Sequence, residues 1–158
     1  MERLRMSIVK HWKDSNLQHS PKKRSPFWIK IKVMVPAMLL ASLLGTYLDL
    51  YFVGVGSYSF PKRILSDVFS INVLFTLIAL PHFISIFLYV CDKITRWQTT
   101  TVLILLLSLL MAAFEKFAES LGFFVHHESW KHIYSFIGYI LYLVFIYSFY
   151  HWTKGTRL

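Results

Sequence analysis

Three polar side chains lie inside long apolar stretches of this sequence, and they are the residues best placed to do chemistry. They are Asp49, Asn72 and Glu115. Charged groups in the hydrocarbon core of a membrane are costly, so they are usually paired, face other protein and often serve a function. At a rise of about 1.5 Å per residue, all three are predicted to lie about 6 Å below one surface of a core about 30 Å thick. With Glu119 at the surface itself, the predicted intramembrane polar layer is Asp49, Asn72, Glu115 and Glu119.

Two kinds of chemistry suit this polar layer. Two carboxylates that lie close together do not both ionise cheaply, so they share a proton or hold a cation. Lys116, which follows Glu115, offers another way to neutralise one of them. The same groups equally suit a clasp of interhelical hydrogen bonds, each worth about 0.6 kcal/mol. The sequence therefore leaves an ion or proton site and a packing clasp open.

A second candidate site is the histidine-rich segment that begins at His126 and reads HHESWKHIYS. Histidine and carboxylate side chains together suit zinc or copper. The spacing H-E-x-x-x-H is not the H-E-x-x-H of a zinc protease, because it places His127 and His132 about 140° apart on a helix. Ordinary interfacial histidines beside Trp130 are the alternative. The weak metal candidates are Glu119, His126, His127, Glu128 and His132.

Motifs typical of enzymes are missing from the sequence. It contains no P-loop, no G-x-S-x-G and no CxxC, and its one cysteine, Cys91, permits no internal disulfide. We therefore expect a protein without catalytic residues and without a cofactor.

The residues named above must be positioned by apolar segments. The chain is 56% hydrophobic and 18% aromatic, whereas an ordinary soluble domain is about 45–50% apolar. Since lipid requires backbone groups to be satisfied internally, long apolar segments are predicted to be helices. The fold class is therefore all-α, a bundle of four transmembrane helices. The predicted spans are about 33–53, 68–90, 99–119 and 133–152, within a transmembrane domain of 33–152 flanked by a basic tail of 1–32 and a short tail of 153–158.

Small and polar residues mark the faces on which these helices are predicted to pack. In the first span, Ala37, Ala41, Gly45 and Asp49 follow one another at i, i+4. Small residues at that spacing let another helix approach closely. Similar stripes are predicted from Thr101, Ser108, Ala112, Glu115 and Glu119 in the third span and from Ser135, Gly138 and Tyr142 in the fourth.

The distribution of basic residues predicts the orientation, because cytoplasmic loops carry an excess of lysine and arginine. The net charge of +9 comes mostly from the N-terminal tail. Lys93, Arg96, Lys154 and Arg157 fall on the same predicted side. The other side holds Lys62, Arg63, Lys116 and Lys131. Both termini are therefore predicted to be cytoplasmic.

The basic tail is predicted to contact the membrane surface. Residues 1–14 have the spacing of an amphipathic helix that would bind anionic lipids, at about 1 kcal/mol per basic residue. A solvated tail that only sets the orientation is the alternative, and the basic runs are weak evidence for nucleic-acid binding. The predicted lipid-contacting residues are Arg3, Arg5, Lys10, Lys13, Lys22, Lys23 and Arg24.

Four parts of the sequence together have the pattern of a family. They are GTYLDLYFVGVGSYSFPKR from Gly45, INVLFTLIALP from Ile71, the lone Glu115 within its span, and WKHIYSFIGYILY from Trp130. In these the chain resembles a family of short uncharacterised multi-spanning membrane proteins of spore-forming Gram-positive bacteria. The resemblance implies a protein of the bacterial plasma membrane, and it transfers no functional residues.

Three functions follow as hypotheses. The first is a non-enzymatic accessory protein that binds the lipid bilayer and a membrane-protein partner or a second copy of itself. The second is a small transporter or channel for protons or a metal cation, with Asp49, Glu115 and Glu119 as ligands. The third is an enzyme at the outer surface that uses Glu119, His126 and His127.

Overall fold

The computed structural model describes residues 26–128 and 130–155, with the backbone alone for residues 26–29. The predicted lipid-contacting residues of the basic tail lie outside this part of the chain. The elements in chain order are α1 (Pro26–Gly54), β1 (Tyr58–Ser59), a π-helical segment (Phe75–Ala79), α2 (Leu80–Cys91), α3 (Trp97–Ser120), β2 (Val125–His126) and α4 (His132–Gly155). The prediction of an all-α fold is confirmed.

Within the described part of the chain, three helices are long and apolar enough to cross a membrane, namely Lys30–Gly54, Trp97–Ser120 and His132–Gly155. Each exceeds the roughly 20 residues that a hydrocarbon core of about 30 Å requires. Large apolar side chains point away from the bundle on all three; for example, Leu43 and Leu106 are 70% and 60% exposed. This is the pattern of helices whose outer faces meet lipid rather than water.

The second predicted span differs from the structure at its start. The helical segment Phe75–Cys91 is shorter than the other three helices and does not begin at Val68. The guanidinium of Arg63 donates hydrogen bonds to the carbonyl oxygens of Phe60, Ser66 and Phe69. These bonds satisfy backbone carbonyl groups of a compact non-helical loop. The predicted start of the second span at Val68 is therefore wrong, because Val68 and Phe69 belong to this loop.

Asn72 consequently lies before this helix and not one turn inside it. Its carbonyl oxygen accepts the N–H groups of Phe75 and Thr76 at 3.1 and 3.3 Å, and its Oδ1 lies 3.4 Å from the N–H of Phe75. Asparagine is favoured at helix starts because its side chain accepts such otherwise unpaired N–H groups.

A proline follows the π-helical segment and leaves one of its carbonyl groups unpaired, and a serine of α1 pairs with that group. In this segment the N–H of Leu80 donates to the carbonyl of Phe75, five residues back. The next carbonyl, that of Thr76, would pair with residue 81, but Pro81 has no N–H. The hydroxyl of Ser42 donates to the Thr76 carbonyl instead, at 2.8 Å. A side chain of α1 thus satisfies the backbone group that the proline leaves unpaired.

The helices pack in the order α2, α1, α4, α3, with α1 against both α2 and α4, and α4 against α3. The small-residue stripe of α1 lies inside, since Ala37 and Ala41 are fully buried. A Cβ at Gly45 would lie 2.5 Å from a methyl group of Leu80, so a larger residue there would force the Leu80 side chain or α2 to shift. The hydroxyl of Tyr142 donates to the Ala41 carbonyl at 2.7 Å and ties α4 to α1.

Polar contacts tie the helices at one end of the bundle, which we call the clasp end. The Asp92 carboxylate accepts the hydroxyl of Tyr150 and the ammonium of Lys154, each at 2.8 Å. The ammonium groups of Lys30 and Lys93 lie over the ring of Tyr89, at 6.0 and 4.5 Å from its centre. The start of α1 and the ends of α2 and α4 therefore meet there. The opposite end holds the two short strands, and we call it the ladder end.

Candidate functional site

The candidate site lies at the ladder end and is built by a reversal of the chain after α3. Gly122 has a φ of +73°, a left-handed conformation that favours glycine. Beyond this turn, β2 pairs antiparallel with β1, so His126 lies opposite Tyr58. The N–H of His127 extends the pairing by donating to the Ser57 carbonyl at 2.9 Å. The reversal carries His126 back over the C-terminal end of α3.

The imidazole of His126 lies between two carboxylates of α3. Its Nε2 is 2.9 Å from Oε1 of Glu115, and its Nδ1 is 3.3 Å from Oε1 of Glu119. The side chains of His126 and Glu115 are only 6% and 9% exposed. Glu119 Oε1 also accepts the backbone N–H of His126 at 3.2 Å. One carboxylate therefore holds both the backbone and the Nδ1 edge of this residue.

The contact between His126 and Glu115 is close but is not a hydrogen bond. Nε2 of His126 is buried and has no hydrogen-bond partner in the described part of the chain. The separation of 2.9 Å between Nε2 and Oε1 is short enough for a hydrogen bond, but the angle between the two groups does not suit donation by a ring N–H. A buried ring nitrogen without such a partner is unusual, since buried polar atoms are nearly always paired.

The carboxylate of Glu115 is held on both of its oxygens by α4. The hydroxyl of Ser135 donates to Oε1, and the hydroxyl of Tyr139 donates to Oε2 at 2.6 Å. The indole N–H of Trp130 donates in turn to the Ser135 hydroxyl at 3.0 Å. These bonds fix the position of the carboxylate toward His126.

Aromatic rings enclose His126 and fix the plane of its imidazole. The ring of Trp130 is stacked on it, with centres 5.3 Å apart and planes inclined by 13°. Phe124 meets it edge-on at 4.5 Å, and Tyr58 does so at 6.2 Å. The apolar enclosure weakens competition from water, which strengthens electrostatic contacts within it.

His132 forms the open side of the cluster. Its side chain is 46% exposed, and its Nε2 lies 3.8 Å from Oε2 of Glu119. Three possible ligand atoms lie within 4.8 Å of one another, one each from Glu115, His126 and His132. We call Glu115, Glu119, His126 and His132 the His–Glu cluster.

Asp49 lies beside this cluster and is held by Tyr58. The Tyr58 hydroxyl donates to Oδ1 of Asp49 at 2.6 Å. Burial, together with the Asp49 carboxylate, holds the pKa of the Tyr58 phenol well above its usual range, so it stays a donor at neutral pH. Oδ2 of Asp49 and Oγ1 of Thr46 are buried without a hydrogen-bond partner among the described residues.

The structure brings some of the predicted site residues together and separates others. Glu115, Glu119, His126 and His132 form one cluster, although the sequence assigned Glu115 to the polar layer and the histidines to a separate loop. Of the remaining metal candidates, His127 and Glu128 are exposed. Asn72 lines a surface pocket of about 400 Å³ beside Lys62 and Phe123.

The sequence interpretation missed the α4 hydroxyls as a unit. Ser135 and Tyr139 are four residues apart and therefore share one face of a helix. That spacing, on a span predicted to neighbour a buried carboxylate, is the signal that could have paired them with Glu115. The stacking of Trp130 on His126 has no such local signal, because it depends on the reversal after α3.

Comparisons with known proteins give no relative for this arrangement. No protein-family model, no curated protein and no solved structure matches the chain.

Proposed function

We propose that this chain is a four-span integral membrane protein that acts as a non-enzymatic accessory to a partner in the membrane. Three spans are the long apolar helices, and Phe75–Cys91 is the fourth. Its 17 residues, taken from the two ends of that segment, give about 25 Å at 1.5 Å per residue. That is the lower end of the range for a span, and the loop held by Arg63 would lie in the headgroup region.

The proposed orientation puts the clasp end in the cytoplasm. Lys30, Lys93 and Lys154 lie at that end, which supports the positive-inside assignment. The His–Glu cluster would then face the outside. The bacterial plasma membrane as the location rests on the family resemblance of the sequence.

The observation that supports an accessory role is the exposure of α3. Only 11% of its most apolar stretch is buried, against 22% in each of the other two long helices. Leu106, Leu109 and Phe114 are each about 60% exposed on it. In a membrane the exposed side of α3 is open to lipid or to the transmembrane helix of a partner. We propose that a partner helix packs on the exposed side of α3.

The polar groups between the helices also favour this role over catalysis. Ser42, Tyr142 and the carboxylate of Glu115 are each used in a hydrogen bond that joins two helices. Such bonds fix one packing arrangement and yield a rigid unit that presents α3.

The test is cross-linking in native membranes from a single photo-reactive residue in place of Leu106. A matched control places the same residue at Leu141, which is 65% exposed on α4. We expect one discrete cross-linked protein from Leu106, identified by mass spectrometry, and only diffuse lipid adducts from Leu141. A cross-linked second copy of the chain would identify the partner as the protein itself. Lipid adducts alone at both positions would refute the accessory role.

A second candidate function is a proton or metal-cation transporter. The observation that favours it is the proximity of the Asp49 and Glu115 carboxylates at one end of the bundle, joined through Tyr58 and His126. It predicts flux in proteoliposomes that Asp49→Asn and Glu115→Gln abolish. Equal flux in the two variants and the original protein would exclude the path through these carboxylates.

A further inference from the structure

The His–Glu cluster has the composition of a metal site and not only of an ion pair. Two imidazoles and a carboxylate, from Glu115, His126 and His132, match the His₂Glu donor set of zinc sites that keep an open position. Their ligand atoms lie within 4.8 Å of one another. Donor atoms around a tetrahedral zinc are about 3.3 Å apart, given bonds of about 2.0–2.1 Å. His132, which is 46% exposed, has the freedom to close the remaining gap.

The unpartnered nitrogen of His126 points to a ligand independently of that composition. Its side chain is 94% buried, from an exposed fraction of 6%, and its Nε2 has no hydrogen-bond partner among the residues that the structure describes. If Nδ1 carries the proton and donates to Glu119, Nε2 presents a lone pair to the Glu115 carboxylate 2.9 Å away. Two acceptors so close repel each other, and a cation between them converts the repulsion into attraction.

The surroundings of the ligands have the form expected of a metal site. A metal-binding histidine almost always donates its other ring N–H to a carboxylate or carbonyl, which fixes its tautomer. Glu119 is placed to do this for His126 at 3.3 Å. Ligating carboxylates are themselves hydrogen-bonded, as Glu115 is by Ser135 and Tyr139. Glu119 is thus a positioning residue.

We propose that Glu115, His126 and His132 bind one divalent transition-metal cation of the zinc class at the ladder end. Imidazole donors favour zinc, copper and nickel, whereas calcium and magnesium favour oxygen ligands alone. The ion would join α3, the β2 strand and the start of α4, with His132 as the ligand on the solvent-exposed side of the site. The site does not depend on the proposed partner of α3.

The test is zinc binding to the full chain, purified in detergent with an affinity tag that contains no histidine and stripped with a chelator. Isothermal titration with ZnCl₂ is expected to give one zinc per chain, undisturbed by millimolar magnesium. Glu115→Gln and His126→Asn are expected to weaken binding by more than about 100-fold, and Glu119→Gln by about 10- to 100-fold. The matched controls His82→Asn and Glu128→Gln replace exposed residues of the same types and are expected to leave the affinity unchanged.

His132→Asn protects the test against a failure to fold, because His132 is the exposed ligand. It is expected to weaken zinc binding while the helical circular dichroism stays that of the original protein. Zinc should also raise the unfolding temperature of the original protein and not that of His132→Asn. Absence of stoichiometric zinc in the original protein would overturn the proposal, as would binding that survives both His126→Asn and His132→Asn. Equal loss in the His82 and Glu128 controls would show adventitious binding and would also overturn it.

Discussion

Nε2 of His126 lies 2.9 Å from Oε1 of Glu115, and the two residues come from a strand and a helix that only a tight reversal brings together. Both side chains are more than nine-tenths buried. A buried imidazole and a buried carboxylate in contact without a hydrogen bond are costly unless something else joins them. This relationship is the basis for the metal site proposed above.

Gly45→Ala is expected to destabilise the contact between α1 and α2. Its Cβ would lie 2.5 Å from a methyl of Leu80, which is 4% exposed and has little room to move. Overpacking of this kind costs about 1–3 kcal/mol, against a gain of about 1 kcal/mol from replacing glycine in a helix. The measurement is the free energy of unfolding in mixed detergent micelles with increasing SDS.

Gly138→Ala is the matched control, because none of the described residues outside its own helical turn lies within 4 Å of a Cβ built there on α4. It should be neutral or stabilising by up to about 1 kcal/mol. If Gly45→Ala and Gly138→Ala change the free energy of unfolding equally, Gly45 does not pack closely against Leu80.

Ser42→Ala is expected to weaken the hydrogen-bonded contact between α1 and the π-helical segment. The Thr76 carbonyl would lose the donor that replaces the missing N–H of Pro81, at a cost of about 1 kcal/mol. Ser148→Ala serves as the control, since Ser148 donates within its own helix and is exposed. Amide exchange across the segment should quicken in the first variant alone, and unchanged exchange would contradict the pairing.

Asp92→Asn is expected to loosen the clasp end. Asp92 accepts from Tyr150 and Lys154, and its side chain is 10% exposed. Loss of these bonds should lower the free energy of unfolding by about 1 kcal/mol. Asp67→Asn, on an exposed loop, is expected to have no measurable effect. If Asp92→Asn is as stable as Asp67→Asn, the contacts at Asp92 do not hold the helices together.

Arg63→Lys is expected to open the loop of residues 60–69. Lysine cannot reproduce a planar guanidinium that donates to three carbonyl groups at once. Amide exchange in the loop should speed up about tenfold, which corresponds to about 1.4 kcal/mol of lost protection. Arg96→Lys at the start of α3 provides the comparison, and equal rates in the loop for both variants would refute the role of Arg63.

Much of the helical architecture could be predicted because it depends on local sequence. The range 99–119 falls inside α3, and 133–152 falls inside α4, since apolar composition alone identifies a long membrane helix. The predicted start of the second span is wrong because Val68 and Phe69 are apolar residues that lie in a loop. Arg63 holds this loop through three backbone carbonyl groups, and the N–H groups of Val68 and Phe69 both donate to the Leu65 carbonyl. The apolar character of the two residues does not predict these bonds.

The candidate site was predicted in pieces and not as a unit. Depth along a helix singled out Glu115, and composition singled out the histidines. Their meeting depends on the turn at Gly122 and on the pairing of β2 with β1. Such contacts between distant parts of a chain carry no periodic signal, so the sequence left the cluster divided between two candidate sites.

The most direct test of the metal site is X-ray absorption spectroscopy at the zinc edge of the purified protein loaded with one equivalent of zinc. We expect the metal site to show nitrogen and oxygen ligands at about 2.0–2.1 Å, with the outer-shell scattering of two imidazoles that falls to one in His132→Asn. A spectrum of hydrated zinc without imidazole scattering, or one that His132→Asn leaves unchanged, would contradict it.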